Sequence, residues 1–384
     1  MSLRLLRLPR GPERGYYWFF LFLFFFGLLP LGVAAKLYST FYLRFGTELL
    51  ILGLFALSVD IIMGYTGLVS LGPAAFFGVG AYAGALTLLK LANSIWLALA
   101  IVLILSWVVA WLIGYLSIRI RGVYFAMLTL AFAEMFHELA FNWQSFTGGS
   151  DGLTGVPRPE IGISPYVLSL GNPYAFFYFV LAVVVVVYYA CVRLVNSPFG
   201  RVLQAIRDNE ERAEFIGYDV RIFKRRSFVI SGIIGGLSGL LFALLRFVDP
   251  DVLHWFTSAE ALVMNLFGGM GTLYGPIIGA IAFLFSRDLI SSYTEHWRLI
   301  LGVIFVGFVL YSPRGIVGLY DALRGKVIPA VLPLIWRRVV RETEETTTSL
   351  MSDINPAIDR ESSLTSKGNL PAPGTSADRK GEER

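Results

Sequence analysis

Of the carboxylates in apolar runs of membrane length, two are the deepest candidates: Asp60, towards the end of the run 47-63, and Glu134, in the run 122-142. A carboxylate in hydrocarbon is costly enough that it normally faces a water-filled cavity or a polar partner. Asp60 immediately precedes the stretch GYTGLVSLGP (64-73). It therefore either accepts hydrogen bonds from backbone amides freed by a helix break or lines a solute pathway. Glu134 shares its run with Tyr124 and Thr129, and the three are expected as polar lining of a pathway, with helix–helix hydrogen bonding as the competing role. Glu134, His137 and Glu138 fall at i, i+3 and i+4 on one helix face, as in half of a carboxylate and histidine metal site. The other half is missing, because the remaining histidines, His254 and His296, fall in outside loops. No metal and no other cofactor is expected.

No GxxxxGK[ST] run occurs, so the chain has no P-loop of its own. If ATP drives its action, the ATPase is another polypeptide. The glycine-rich runs follow no predicted strand, which excludes dinucleotide fingerprints. No constellation of nucleophile, base and metal suggests an enzyme. The lone Cys191, in an apolar run, excludes an internal disulfide framework and reads as a small packed residue.

The elements that position these residues follow from composition. Of 384 residues, 56% are hydrophobic and only 15% charged, too few charges to coat a sphere in water. Spanning about 30 Å of hydrocarbon takes roughly 20 apolar residues. Apolar runs near 16-35, 47-63, 74-91, 95-117, 122-142, 173-194, 227-247, 276-290 and 298-312, with a shorter one near 259-267, predict an all-α polytopic bundle of about 9-10 transmembrane or re-entrant helices. The first run follows Arg4, Arg7, Arg10 and Arg14 and is long and aromatic, so it reads as a retained anchor rather than a cleaved signal.

Charge fixes orientation. The net charge of +5 divides into a −3 tail (339-384), with nine acidic against six basic residues, and a +8 body. Basic residues in short loops mark the cytoplasmic side. By that rule segment 1-15, the Arg119/Arg121 turn and the loop 195-226 are cytoplasmic, and 143-172 is periplasmic. If 259-290 were one crossing, Arg314, Arg324, Lys326, Arg337 and Arg338 would finish on the wrong face. The segment is therefore expected to enter, break at Gly268, Gly269, Gly271, Gly275 and Pro276, and return. The other break, at Gly64, Gly67, Gly72 and Pro73, also ends in Gly-Pro before a span, a hint of an internal repeat. The permease domain is placed at 16-320, followed by an interfacial amphipathic segment at 321-338 and a disordered cytoplasmic tail at 339-384.

The loop 195-226 is the most unusual polar segment. Val202, Ala205, Ile206, Ala213, Phe215 and Ile216 suggest the apolar face of one helix over 203-217, stopped by Gly217. It reads as a solvated connector or as a helix that docks in a partner's groove.

Five stretches in order, GYTGLVSLGPAAFFGVGAYAGAL (64-86), RGVYFAMLTLAFAEMF (121-136), TGGSDGLTGVP (147-157), SPFGRVLQAIRDNEERAEFIGYDV (197-220) and LFGGMGTLYGPIIGA (266-280), resemble the LivM-type inner-membrane permeases of ABC importers for branched-chain amino acids. The resemblance implies an ABC importer permease fold, working by alternating access in the bacterial inner (plasma) membrane with both termini cytoplasmic. It also implies a second homologous permease subunit, two cytoplasmic ABC ATPases and a periplasmic solute-binding protein as partners, and no nucleic acid. By the same resemblance Arg207, Asp208, Glu210, Ala213, Glu214 and Gly217 are candidates for ATPase contact. Gly148, Gly149, Ser150 and Asp151 are candidates for binding-protein docking or a gate. The chain departs from the family pattern at Asp60, where Asn is common. Related permeases carry urea, short amides or aromatic acids, and these motifs do not separate such cargoes. An ion-coupled transporter using Asp60 or Glu134 is the rival reading.

Overall fold

In lipid every backbone amide and carbonyl needs a partner within the protein, which leaves the helix as the element available to these apolar runs. The computed structural model describes residues 40–163, 166–311 and 315–319, together with Gly27 and Pro30. The expectations for 1-15, 321-338 and 339-384, and nearly all of 16-35, lie outside those residues.

The helices are α1 (Thr40–Asp60), α2 (Pro73–Leu86), α3 (Ile95–Ser117), α4 (Val123–Asn142), α5 (Pro173–Asn196), α6 (Pro198–Asp208), α7 (Glu210–Phe215), α8 (Val220–Leu245), α9 (Trp255–Gly268), α10 (Gly275–Ser291) and α11 (Trp297–Tyr311). Single π-turns, Ile61–Tyr65 and Thr87–Leu91, extend α1 and α2. Among the described residues, six helices are long and apolar enough to cross a membrane: α1 and α2 with their extensions, α3, α4, α5 and α8. The fold is an all-α polytopic membrane bundle. Among the described residues, the one sheet is a hairpin in the 143-172 segment, β1 (Glu160–Ile163) antiparallel to β2 (Tyr166–Ser169), with Glu160 opposite Ser169.

Helix α1 is the axis. In its best apolar window 94% of residues are buried, against 28% for α4, so α4 presents most of its surface outward. Phe55 of α1 meets Phe77 of α2 at 4.5 Å between ring centroids, and Phe76 sets its edge on Phe228 of α8 at 5.3 Å. Helices α2 and α8 touch backbone to backbone, because a Cβ at Gly80 would collide with the carbonyl of Gly236. Such small-residue contacts replace the hydrophobic drive that lipid cannot supply.

Helices α9 and α10 form an antiparallel hairpin. Their 14 and 17 residues rise only about 21 and 25 Å, short of the hydrocarbon thickness. The α9 entry, at Trp255, is held by Glu134 of α4, and Arg287 near the α10 exit is held by Glu48, near the start of α1. The turn between them meets Asp60, at the other end of α1. Both ends of the hairpin thus open on one side and its tip points to the other.

Two boundaries differ from the sequence expectation. Helix α8 begins at Val220 rather than 227, because Asp219 caps it by accepting from the Ile222 amide, so Arg221 to Arg226 are helical. The single helix expected over 203-217 is two. Asn209, extended at φ −161°, ends α6 and caps α7 by accepting from the Arg212 amide. Ser197 and Pro198 start α6 in the same manner, and Gly217, at φ +97°, follows the end of α7.

Candidate functional site

The two glycine-rich breaks meet at one end of α1. The π-turn that closes α1 leaves the carbonyl of Gly64 without a helical partner. Arg207, in the last turn of α6, donates from Nη1 to that oxygen. Asp60, fully buried, takes the α9–α10 turn with both oxygens: Oδ1 accepts from the Gly271 amide at 2.7 Å and Oδ2 from the Leu273 amide at 3.3 Å. The partners of Asp60 are therefore the amides of the second break, not of the first. Leu273 sits at φ +53°, where a side chain is strained, and the carboxylate holds it there. A Cβ at Gly64 would collide with the Asp60 carboxylate and the Gly271 amide, which themselves lie in hydrogen-bond contact. Only glycine lets the three strands of chain converge.

The first break is stitched by neutral groups. Thr129 Oγ1 accepts from the Leu71 amide at 3.2 Å, and Ser258 Oγ accepts from the Ala74 amide at 2.9 Å. Thr66 donates to the Ile61 carbonyl or to Ser227, each at 3.0 Å. Gly72 lies so close to the Thr129 carbonyl that a Cβ would collide with it, and Gly67 adopts φ +76° against the Arg207 stem. In the second break Gly268 closes on the Gly275 carbonyl, Gly269 adopts φ +110° and Pro276 opens α10.

The α6–α7 segment is bolted to this end of the bundle by charge. Glu210 pairs with Lys224 of α8 at 2.6 Å and with Arg121 at 3.3 Å; Glu214 also reaches Arg121, at 3.4 Å. Ala213 is buried against Val202, Ile206 and Val220. Of the six coupling candidates, Arg207, Glu210, Ala213 and Glu214 thus face the bundle or its loops, while Asp208 and Gly217 lie at the surface. Sequence reasoning put Phe215 and Ile216 on one apolar face with Val202, Ile206 and Ala213. They are 90% and 70% exposed, because the chain turns at Gly217 before a further helical turn could cover them. Two large apolar side chains directly before a helix-stopping glycine were the available signal for such a tip.

At the opposite end of α1 lies a cavity of about 640 Å³ lined by Glu48, Arg246, Arg287, Glu260, Arg298 and His137, among others. Glu48 is a buried carboxylate holding two guanidinia, Arg246 and Arg287, each at 2.7 Å. Ser150 and Asp151 join its wall, beside Asp249 and Asp251. Burial, with Asp251 alongside, raises the Asp249 carboxyl above the usual range. Gly148 and Gly149 adopt φ +83° and +62°, turning this segment onto the wall; the next residues then pair with the chain after α8, Leu153 donating to Val248 at 2.7 Å. Among the described residues, neither Glu260 nor Arg298 has an ion partner within pairing distance, although Arg298 lies over the rings of Phe256 and Trp297.

The four residues expected along a pathway do not gather. Asp60 belongs to the junction and Thr129 to the first break. Tyr124 stands 73% exposed on the outward face of α4. Glu134 accepts from the Trp255 amide at 3.0 Å, fixing the start of α9 beside the cavity. Glu138 accepts from Asn142 at 3.0 Å, apart from Glu134 and His137. No group of three metal-ligating side chains converges among the described residues.

With this geometry in place, comparison with known proteins gives a consistent result. A family model described as "Branched-chain amino acid transport system / permease component" matches residues 41–310. The chain is 30% identical over 315 residues to the high-affinity branched-chain amino acid transport system permease protein LivM of Escherichia coli (strain K12), covering 77% of this chain and 74% of that one. It is 25% identical over 256 residues to a probable LivM permease of Methanocaldococcus jannaschii, 64% of this chain and 72% of that one. It is 23% identical over 124 residues, 32% of this chain, to the E. coli permease LivH. No solved structure matches the chain significantly.

Proposed function

The chain belongs to the branched-chain amino acid transport permease family as a LivM-type member, and from that premise we propose that it is the membrane subunit of an ATP-driven importer in the bacterial inner membrane. Branched-chain or other apolar amino acids are the cargo. Its partners are a second homologous permease, two cytoplasmic ATPases and a periplasmic solute-binding protein. The domain 16-320 carries the pathway, with 195-226 on the cytoplasmic side and 143-172 outside. The concentration of Arg and Lys around α6, α7 and the start of α8 supports that orientation.

The observation that carries the reading is the seat of Arg207 on the Gly64 carbonyl, beside the Asp60–Gly271 contact. One residue of the cytoplasmic loop thereby touches both helix breaks. A push on the exposed Phe215–Ile216 tip and Asp208 by an ATPase moves α6 and α7 as a unit, since Glu210 and Glu214 are tied to Lys224 and Arg121. Displacing Arg207 releases the Gly64 carbonyl and loosens the tip of the α9–α10 hairpin. The inner end then opens while the outer cavity closes.

The outer cavity suits a zwitterion. Glu260 offers a carboxylate to an ammonium group and Arg298 a guanidinium to a carboxylate, with Phe77, Phe141 and Phe242 among the apolar walls. Ser150 and Asp151 stand at its rim, where a loaded binding protein would dock or a gate would swing.

Proteoliposomes holding the full complex test the reading. Leucine uptake should require ATP and the binding protein, and Arg207→Ala should lower uptake at least 10-fold in an assembled complex. Uptake by this chain alone on an ion gradient would overturn the proposal. Calorimetry of the binding protein against leucine, urea, an amide and an aromatic acid would identify the cargo.

A further inference from the structure

A second cavity, of about 650 Å³, lies between α3 and α8, near the end of the bundle that carries α6. Its chemistry changes along its length. Arg225 and Arg226 form one end, and Trp107, Val229 and Ile233 form the other, with Trp111 between them. From Arg225 to Ile233 is eight residues of α8, a rise of about 12 Å. The polar end lies at the level of an aromatic and cationic belt: Trp111 stacks on Tyr115 at 5.6 Å, and Arg119 lies 4.5 Å over the Tyr115 ring. Trp, Tyr and Arg in that arrangement mark the boundary between headgroups and acyl chains.

The two arginines are the informative residues. Lys224, their neighbour, is buried and paired with Glu210. Among the described residues, Arg225 and Arg226 have neither a carboxylate nor a hydrogen-bond partner, and Arg225 is half-buried. A half-buried guanidinium without a partner is unfavourable unless an anion supplies one. Two guanidinia lining one cavity offer charge-assisted donors to a phosphodiester, and the aliphatic residues of its wall offer a surface to an acyl chain.

We propose that this cavity is a binding site for an anionic two-chain phospholipid, with its phosphate on Arg225 and Arg226 and an acyl chain along Trp107, Val229 and Ile233. The site is independent of which solute the protein carries. Because α8 also bears Lys224, the anchor of Glu210, a lipid held here steadies the same segment that positions Arg207.

Native mass spectrometry of the full complex, exchanged into phosphatidylglycerol, phosphatidylcholine or inorganic phosphate, tests it. The wild type should retain phosphatidylglycerol at least 10-fold more than phosphatidylcholine, and Arg225→Gln/Arg226→Gln should abolish that preference. Ile233→Trp, which fills the apolar end and leaves both arginines, should also lower retention, and phosphatidylglycerol brominated in its acyl chains should quench a larger share of tryptophan fluorescence in the wild type than in Trp107→Phe/Trp111→Phe. Equal retention of both lipids would overturn the proposal. So would binding of inorganic phosphate as tight as that of lipid, or cross-linking of a cysteine at position 107 to the partner permease in place of lipid quenching.

Discussion

The two ends of α1 solve the same problem, a buried carboxylate, in opposite ways. At the inner end Asp60 is satisfied by backbone amides of the α9–α10 turn, with glycine spacing so close that no solute fits. At the outer end Glu48 is satisfied by two arginine side chains on the wall of a cavity of about 640 Å³. Backbone contacts are short, directional and lost together when the turn shifts; long arginine side chains can follow a moving wall while keeping their charge paired. In the proposed orientation, the difference gives the Asp60 end the part of a latch and the Glu48 end that of an adaptable mouth.

Breaking the latch gives the largest effect. Gly64→Val places a branched side chain onto the Asp60 carboxylate and the Gly271 amide. A loss on the order of 4 kcal/mol or more is expected, read as failure to assemble in the membrane by size-exclusion profile. Breaking the mouth costs less. Glu48→Ala leaves Arg246 and Arg287 unpaired, at a cost of about 3 kcal/mol, reduced because Arg246 is half exposed; a lowered thermal midpoint with retained assembly checks it. Asp60→Asn has the smallest effect. The amide oxygen still accepts one bond and the other is lost, at about 1 kcal/mol, so assembly persists while the transport rate shifts. If Asp60→Asn abolished assembly while Glu48→Ala were silent, the two ends would differ in stability rather than in mobility.

Much of this architecture is legible in the sequence. The spans announce themselves as apolar runs, and the hairpin reversal follows from Gly and Pro at 268-276 combined with the basic residues after 312. The start of α8 is hidden, because Arg221, Lys224, Arg225 and Arg226 look like loop until the Asp219 cap is seen. The partner of Asp60 is hidden for a different reason. Proximity in sequence points to the amides of the first break, whereas the bond crosses 211 residues and depends on how the hairpin docks. The inward turn of Glu210 and Glu214 likewise depends on Lys224 and Arg121, which no local pattern connects to them.

The latch is tested most directly by its width. Spin labels at Asp208→Cys on α6 and Met270→Cys on the hairpin turn, both exposed sites, report their separation by pulsed electron paramagnetic resonance in the reconstituted complex; Cys191 is buried. A shift to longer distance when the ATPases bind a non-hydrolysable nucleotide is the predicted result. An unchanged distance in a complex that transports normally would contradict the account.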